Sequence, residues 1–221
     1  MNKREQELAS FVYKLCDNAR QLGASEAVAI NAGDIVLDER ALIKCMVPMC
    51  ANYGVNLTCP PNSISFADFK RILGKYHRAI LLRVDNTSSP KPEAIEEQGS
   101  LSEIWKMGRN NSSQDNPNNC VTDYMQALRQ GQERLYSIIE KIESLCLQAG
   151  YKFAAGLSAG GCFLCDECVG AQSGLPCRHP FKARPSMEGF GIDVVATAET
   201  AGMQLEFNQK TSSWVGLILV D

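Results

Sequence analysis

Between residues 5 and 22 the apolar side chains Leu8, Phe11, Val12, Leu15, Cys16, Ala19 and Leu22 return every three or four positions, with charged residues between them. That period predicts an amphipathic helix with one face toward a core, and Gly23 supplies a C-terminal stop. A longer stripe of the same period runs through Val121, Tyr124, Met125, Leu128, Leu135, Ile138, Ile139, Ile142 and Leu145 and ends at Gly150. Shorter patterns lie around these two. Ala27 to Ile30 and Ile35 to Leu37 read as strands about an Ala32-Gly33-Asp34 turn, and Phe66 to Leu73 as a helix. The compact apolar run Arg78 to Val84 reads as a buried strand, and Phe153 to Leu157 as a strand. Pro185 and Ser186 introduce a helix near Met187 to Ala201, and Met203 to Phe207 and Trp214 to Val220 close the chain as strands.

These elements imply an α/β or α+β fold, a compact mixed sheet flanked by helices. From Asn86 to Asn119 the chain is rich in Ser, Asn, Pro and Gly, with Ile95, Leu101, Ile104 and Trp105 as scattered apolar anchors, which suggests a surface excursion. The chain is therefore expected to be a single domain over 1–221, divisible into two candidate halves at 1–85 and 118–221 around a polar insert at 86–117. An internal echo supports the halves. Gln21-Leu22-Gly23, Ala27 and Asn31-Ala32-Gly33 match Gln148-Ala149-Gly150, Ala154 and Ser158-Ala159-Gly160 at one constant offset. Helix, strand, cysteine loop, helix and strand would then occur twice.

Composition changes the picture through cysteine. The net charge of -3 gives no footprint for nucleic acid, and no polybasic run suggests an anionic membrane surface. The opening MNKREQELASFVYKLC lacks an apolar signal region, and no stretch approaches a membrane span, so a cytoplasmic location is expected. Ten cysteines in such a chain point to metal ligation or thiol chemistry in preference to disulfides.

Cys162, Cys165 and Cys168 form a C-x2-C-x2-C run, a spacing that lets thiolates wrap three corners of one cubane cluster, with Cys177 as the nearest fourth ligand. Gly156, Gly160 and Gly161 upstream, and Gly170 and Gly174 within the loop, let backbone N–H groups approach inorganic sulfide. Zinc is the alternative, although it favours paired C-x2-C knuckles about one tetrahedral ion. A second group, Cys45-x4-Cys50-x8-Cys59, precedes a Pro60-Pro61 turn. It offers three ligands, so either a fourth comes from elsewhere or one iron stays open for water or substrate.

Other candidates carry less. Cys16 and Cys146 lie on helical apolar stripes, where small buried thiols are ordinary. Cys120 starts the long helix, where the dipole lowers a thiol pKa, but its Asn-rich setting also suits a plain exposed cysteine. His179 follows Cys177 in Arg178-His179-Pro180-Phe181-Lys182-Ala183-Arg184. Arg178, His179, Lys182 and Arg184 are candidates to tune an anionic cluster or to hold an anionic substrate, against the plain alternative of solvated surface charge. His77 opens a strand and reads as structural, and Glu188 suits the first turn of a helix. There is no Walker loop, Rossmann fingerprint or Ser-His-Asp set.

At Cys45-x4-Cys50-Ala-Asn-Tyr53-Gly54-x4-Cys59-Pro60-Pro61, and at Gly160-Gly161-Cys162-x2-Cys165-x2-Cys168 with Pro176-Cys177-Arg178-His179-Pro180 and Ser186-Met187-Glu188, the chain resembles a family of unknown function whose members are described as predicted metal-binding proteins. The resemblance runs from about residue 25 to 207 outside the polar excursion; it implies metal binding and supplies no reaction. Met49 stands where many relatives carry glycine, and the polar insert is longer than usual. The expected function is an iron–sulfur protein carrying one or two clusters of the [4Fe-4S] kind. It would serve as a redox or electron-transfer protein with a partner, or act through an open iron on a small anionic substrate. The alternative is a zinc protein with a structural or metal-delivery role.

Overall fold

The computed structural model describes residues 3–86, 120–205 and 212–221. The excursion from residue 87 to Asn119, with its anchors Ile95, Leu101, Ile104 and Trp105, lies outside them, as does Phe207.

The first stripe forms α1 (Lys3–Gln21) and the long stripe forms α4 (Cys120–Gln148). Between them come β1 (Glu26–Asn31), the single-turn α2 (Ile43–Met46), α3 (Phe66–Leu73) and β2 (Arg78–Asn86); after α4 follow β3 (Ala155–Ser158), α5 (Val194–Thr200) and β4 (Ser212–Val220). The strands form one sheet in the order β1-β2-β4-β3, antiparallel at every ladder, with Val28 opposite Leu81, Ile80 opposite Ile218 and Leu157 opposite Leu217. The helices flanking a compact sheet are those the sequence implied. The run Ala79 to Leu82 in β2 is continuously apolar because it is covered on both faces: all four residues are fully buried.

The two faces alternate along each strand. Ile80, Leu82, Val84, Ile218 and Val220 pack against Leu8, Val12 and Leu15 of α1 and Leu135, Ile139 and Ile142 of α4. Ala79, Leu81, Leu157, Leu217 and Leu219 pack against Phe69 and Leu73 of α3, Ala198 of α5, and Met187, Phe190 and Ile192. Both α3 and α5 begin on a side-chain cap: Ser65 accepts from Asp68 N–H, and Asp193 from Ala196 N–H.

Helix, edge strand, cysteine loop, helix and central strand occur in that order twice, α1-β1-loop-α3-β2 and α4-β3-loop-α5-β4. β2 and β4 pair at the centre and each cysteine loop leaves an edge strand. α1 and α4 both stop just before a glycine of positive φ, Gly23 at 106° and Gly150 at 94°.

Three elements differ from their sequence patterns. Ile35 to Leu37 makes no strand, because the 3-10 turn Ala32–Asp34 redirects the chain and Val36 N–H is taken by Thr197 Oγ1 at 3.1 Å; a single bridge joins Leu37 to Ile192. The helix expected near Met187 to Ala201 is broken into a 3-10 turn, Glu188–Phe190, and α5. Gly191 at φ 77° turns the chain left-handed, and Asp193 caps a fresh start. Met203 to Leu205 is irregular, with Met203 N–H returned to Ala198 O at 2.9 Å.

Cys16 and Cys146 are core residues between α1 and α4. Burial pushes their thiols up, to about 11 and about 12. The folded state keeps their protons where the unfolded chain loses them, so their contribution is complete below the ordinary thiol value near 9 and fades as pH rises toward 11 to 12. We expect urea stability to fall across that window, and to fall less in a Cys16→Ala, Cys146→Ala variant.

Candidate metal centre

The two cysteine loops pack on each other. The first, between β1 and α3, crosses toward the second through Asp38 N–H to Gly191 O (2.8 Å) and Ser186 N–H to Thr58 O (3.0 Å). Asn56 is buried in the seam, where its Nδ2 donates to Cys162 O (3.2 Å) and to Asn52 Oδ1 (3.2 Å). Gly161 leaves room for the Asn52 amide: a Cβ there would lie 2.4 Å from Asn52 Nδ2.

α4 fixes the second loop from above. Gln132, 1% exposed, donates through Nε2 to Gly161 O (2.8 Å) and accepts through Oε1 from Phe163 N–H (2.8 Å), clasping the backbone on both sides of Cys162. Four residues on, the buried Tyr136 hydroxyl has no well-aligned hydrogen bond of its own but lies beside Cys162 and Ser158, within electrostatic reach of Cys59. Burial first, and then the Cys162 sulfur, raise its pKa well above the ordinary phenol value. The Tyr136 hydroxyl thus lies within electrostatic reach of one cysteine from each group.

Cys162, Cys165, Cys168 and Cys177 line a single cavity together with Leu57, Thr58, Arg178 and His179. Cys177 Sγ accepts from His179 N–H at 3.3 Å. In the first group, burial raises Cys45 to about 11 and Cys59 to about 12; Cys50 and Glu188 add to the shift of both thiols, and Cys45 to that of Cys59. Cys162 is also raised, by burial above all, although Leu164 N–H and Tyr136 oppose it. Thiols this far from ionisation are neutral without a cation, and a bound cation is the ordinary means of deprotonating them. The donor set therefore fits a thiophilic metal centre. Among the described residues no three His, Cys, Asp or Glu side chains converge in an arrangement that would hold one metal ion.

The basic segment divides. Arg178 is exposed at the cavity wall and donates to Glu167 O (2.7 Å), and Lys182 is exposed, its N–H turned back to His179 O (3.0 Å). Arg184 is buried at 7% exposure: it pairs with Glu143 of α4 and donates to Phe181 O (2.9 Å), while Glu143 Oε1 accepts from Gly156 N–H (2.7 Å). Arg184 thus ties the loop to helix and sheet. His77, at 2.7 Å from Asp221, is far along the chain and pairs with the C-terminal residue. The side chain of Cys120 lies outside the described ones.

Gln132, Tyr136, Glu143, Asn52 and Asn56 escaped the sequence reading. The first three carried a usable signal, since polar groups interrupt the apolar stripe of α4 on its buried side. Glu188 was read only as a helix-start carboxylate.

A family model described as "Predicted metal-binding protein (DUF2284)" matches residues 28–220. No curated protein and no solved structure matches the chain.

Removing Glu143 should strand Arg184 in the interior. Glu143→Ala is expected to cost about 3–5 kcal/mol, measured by urea unfolding, and Glu143→Gln less because it still accepts from Gly156 N–H.

Proposed function

The chain belongs to this family of predicted metal-binding proteins, and from that premise we propose that it is an iron–sulfur protein, with Cys162, Cys165, Cys168 and Cys177 holding a [4Fe-4S] cluster. The observation that carries the reading is the distribution of the four thiols. They line one cavity together, three of them supplied by the C-x2-C-x2-C run. A single zinc ion needs its sulfurs about 2.3 Å from one centre, whereas a cubane spreads them over four irons. The C-x2-C-x2-C spacing favours the cubane.

Cys45, Cys50 and Cys59 form a second iron site near the first, with Tyr136 within electrostatic reach of a cysteine of each. The chemistry the clusters supply is one-electron transfer. The protein's own part is to exclude water behind Phe163 and Leu164, to hold the first cysteine's peptide through Gln132, and to offer Arg178 and Lys182 as exposed positive charges beside an anionic centre. Those two residues suit a small anionic substrate or an acidic patch on a redox partner.

Anaerobically purified full-length protein should contain iron and acid-labile sulfide in roughly equal amounts, about four of each per cluster. Cys165→Ser should lower both. Protein holding zinc and no sulfide would replace this reading with a zinc-stabilised scaffold or metal-delivery role.

A further inference from the structure

The first cysteine group has three thiols, and its surroundings contain one more ionisable group. Glu188 opens the 3-10 turn Glu188–Phe190, which packs on the 3-10 turn Glu39–Leu42 just ahead of Cys45. Its neighbour Gly189 faces the Pro60 ring, so closely that a Cβ would lie 2.9 Å from Pro60 Cδ, and Cys59 immediately precedes that proline. Ser186 N–H is bound to Thr58 O on the other side of Cys59. The carboxylate is thus set between the two ends of the first cysteine loop, and the thiols of Cys45 and Cys59 both feel its charge.

Its two oxygens are used unequally. Oε2 accepts from Gly160 N–H (2.9 Å) and from Ser186 Oγ (3.0 Å), which fixes the group's orientation. Among the described residues Oε1 accepts nothing, and no lysine or arginine pairs with the carboxylate. With no lysine or arginine paired to it among the described residues, the half-buried carboxylate disfavours ionisation of the thiols beside it. A metal ion in their midst reverses the sign for all four groups.

We propose that Glu188, through Oε1, is the fourth protein ligand of the site formed by Cys45, Cys50 and Cys59. The inference rests on the reading of that cysteine group as an iron site. An oxygen donor among thiolates gives one iron a harder and more exchangeable corner, while the neighbouring cluster is thiolate-bound throughout. That iron is where a small anionic ligand would enter.

The test uses the full chain, loaded anaerobically with 57Fe and sulfide, and compares Glu188→Gln, Glu188→Cys and a Cys45→Ser, Cys50→Ser control. Mössbauer spectra, iron counts and the rate of iron release to a chelator are read, with circular dichroism reporting the fold. A ligand role predicts that Glu188→Cys keeps the iron and converts the oxygen-ligated signal to an all-thiolate one. It also predicts that Glu188→Gln, which still accepts from Gly160 N–H, loses that signal and releases the site's iron at least about tenfold faster. If Glu188→Gln matches the parent while Glu188→Cys loosens the loop, the carboxylate is a backbone anchor and the inference falls. If the double-serine control holds as much iron as the parent, the cysteine group is not a metal site, and the inference falls with it.

Discussion

Seven thiols and a carboxylate are gathered at the seam of two loops, and the fold has to hold them there against the cost of desolvation. Burial keeps Cys45, Cys59 and Cys162 protonated when no cation is present. The cost of crowding them is met by scaffolding around the sulfurs. Gln132 clasps the backbone at Cys162, Asn56 and Asn52 fill the seam, and the Glu143–Arg184 pair anchors the exit of the second loop. Each anchor satisfies buried backbone groups that an irregular loop would otherwise leave without partners. The arrangement is preorganised for a group of opposite charge.

The repeated element order explains how two such loops meet. Each half contributes one edge strand, one central strand, a long helix on one face and a short capped helix on the other. Pairing β2 with β4 leaves both cysteine loops departing from edge strands, where chain can leave the sheet without interrupting a ladder. From α4, the polar residues Gln132, Tyr136 and Glu143 reach past the edge strand β3 to the second loop.

Much of this was legible in the sequence, for a physical reason. α1, α4 and β2 are long or continuously apolar, so local period and tertiary environment agree, and the constant offset between Gln21-Leu22-Gly23 and Gln148-Ala149-Gly150 marked equivalent helix stops. Reading failed where long-range contacts override local pattern. Ile35 to Leu37 looks like a strand but spends its N–H on Thr197, and the helical pattern at 187–201 is interrupted by a left-handed Gly191. At the site, cysteine spacing identified which residues to watch. The pairing of Arg184 with Glu143 and the approach of Glu188 to Cys45 and Cys59 depend on segments more than forty residues apart in every case, and no local pattern encodes them.

The central claim is that Cys162, Cys165, Cys168 and Cys177 enclose a polynuclear iron centre. Anomalous diffraction from anaerobically grown crystals, recorded on both sides of the iron and zinc absorption edges, tests it directly. The account predicts an iron signal extended over several ångströms within those four sulfurs. A compact zinc peak bound by the same thiols, or no anomalous scatterer heavier than sulfur among them, would contradict it.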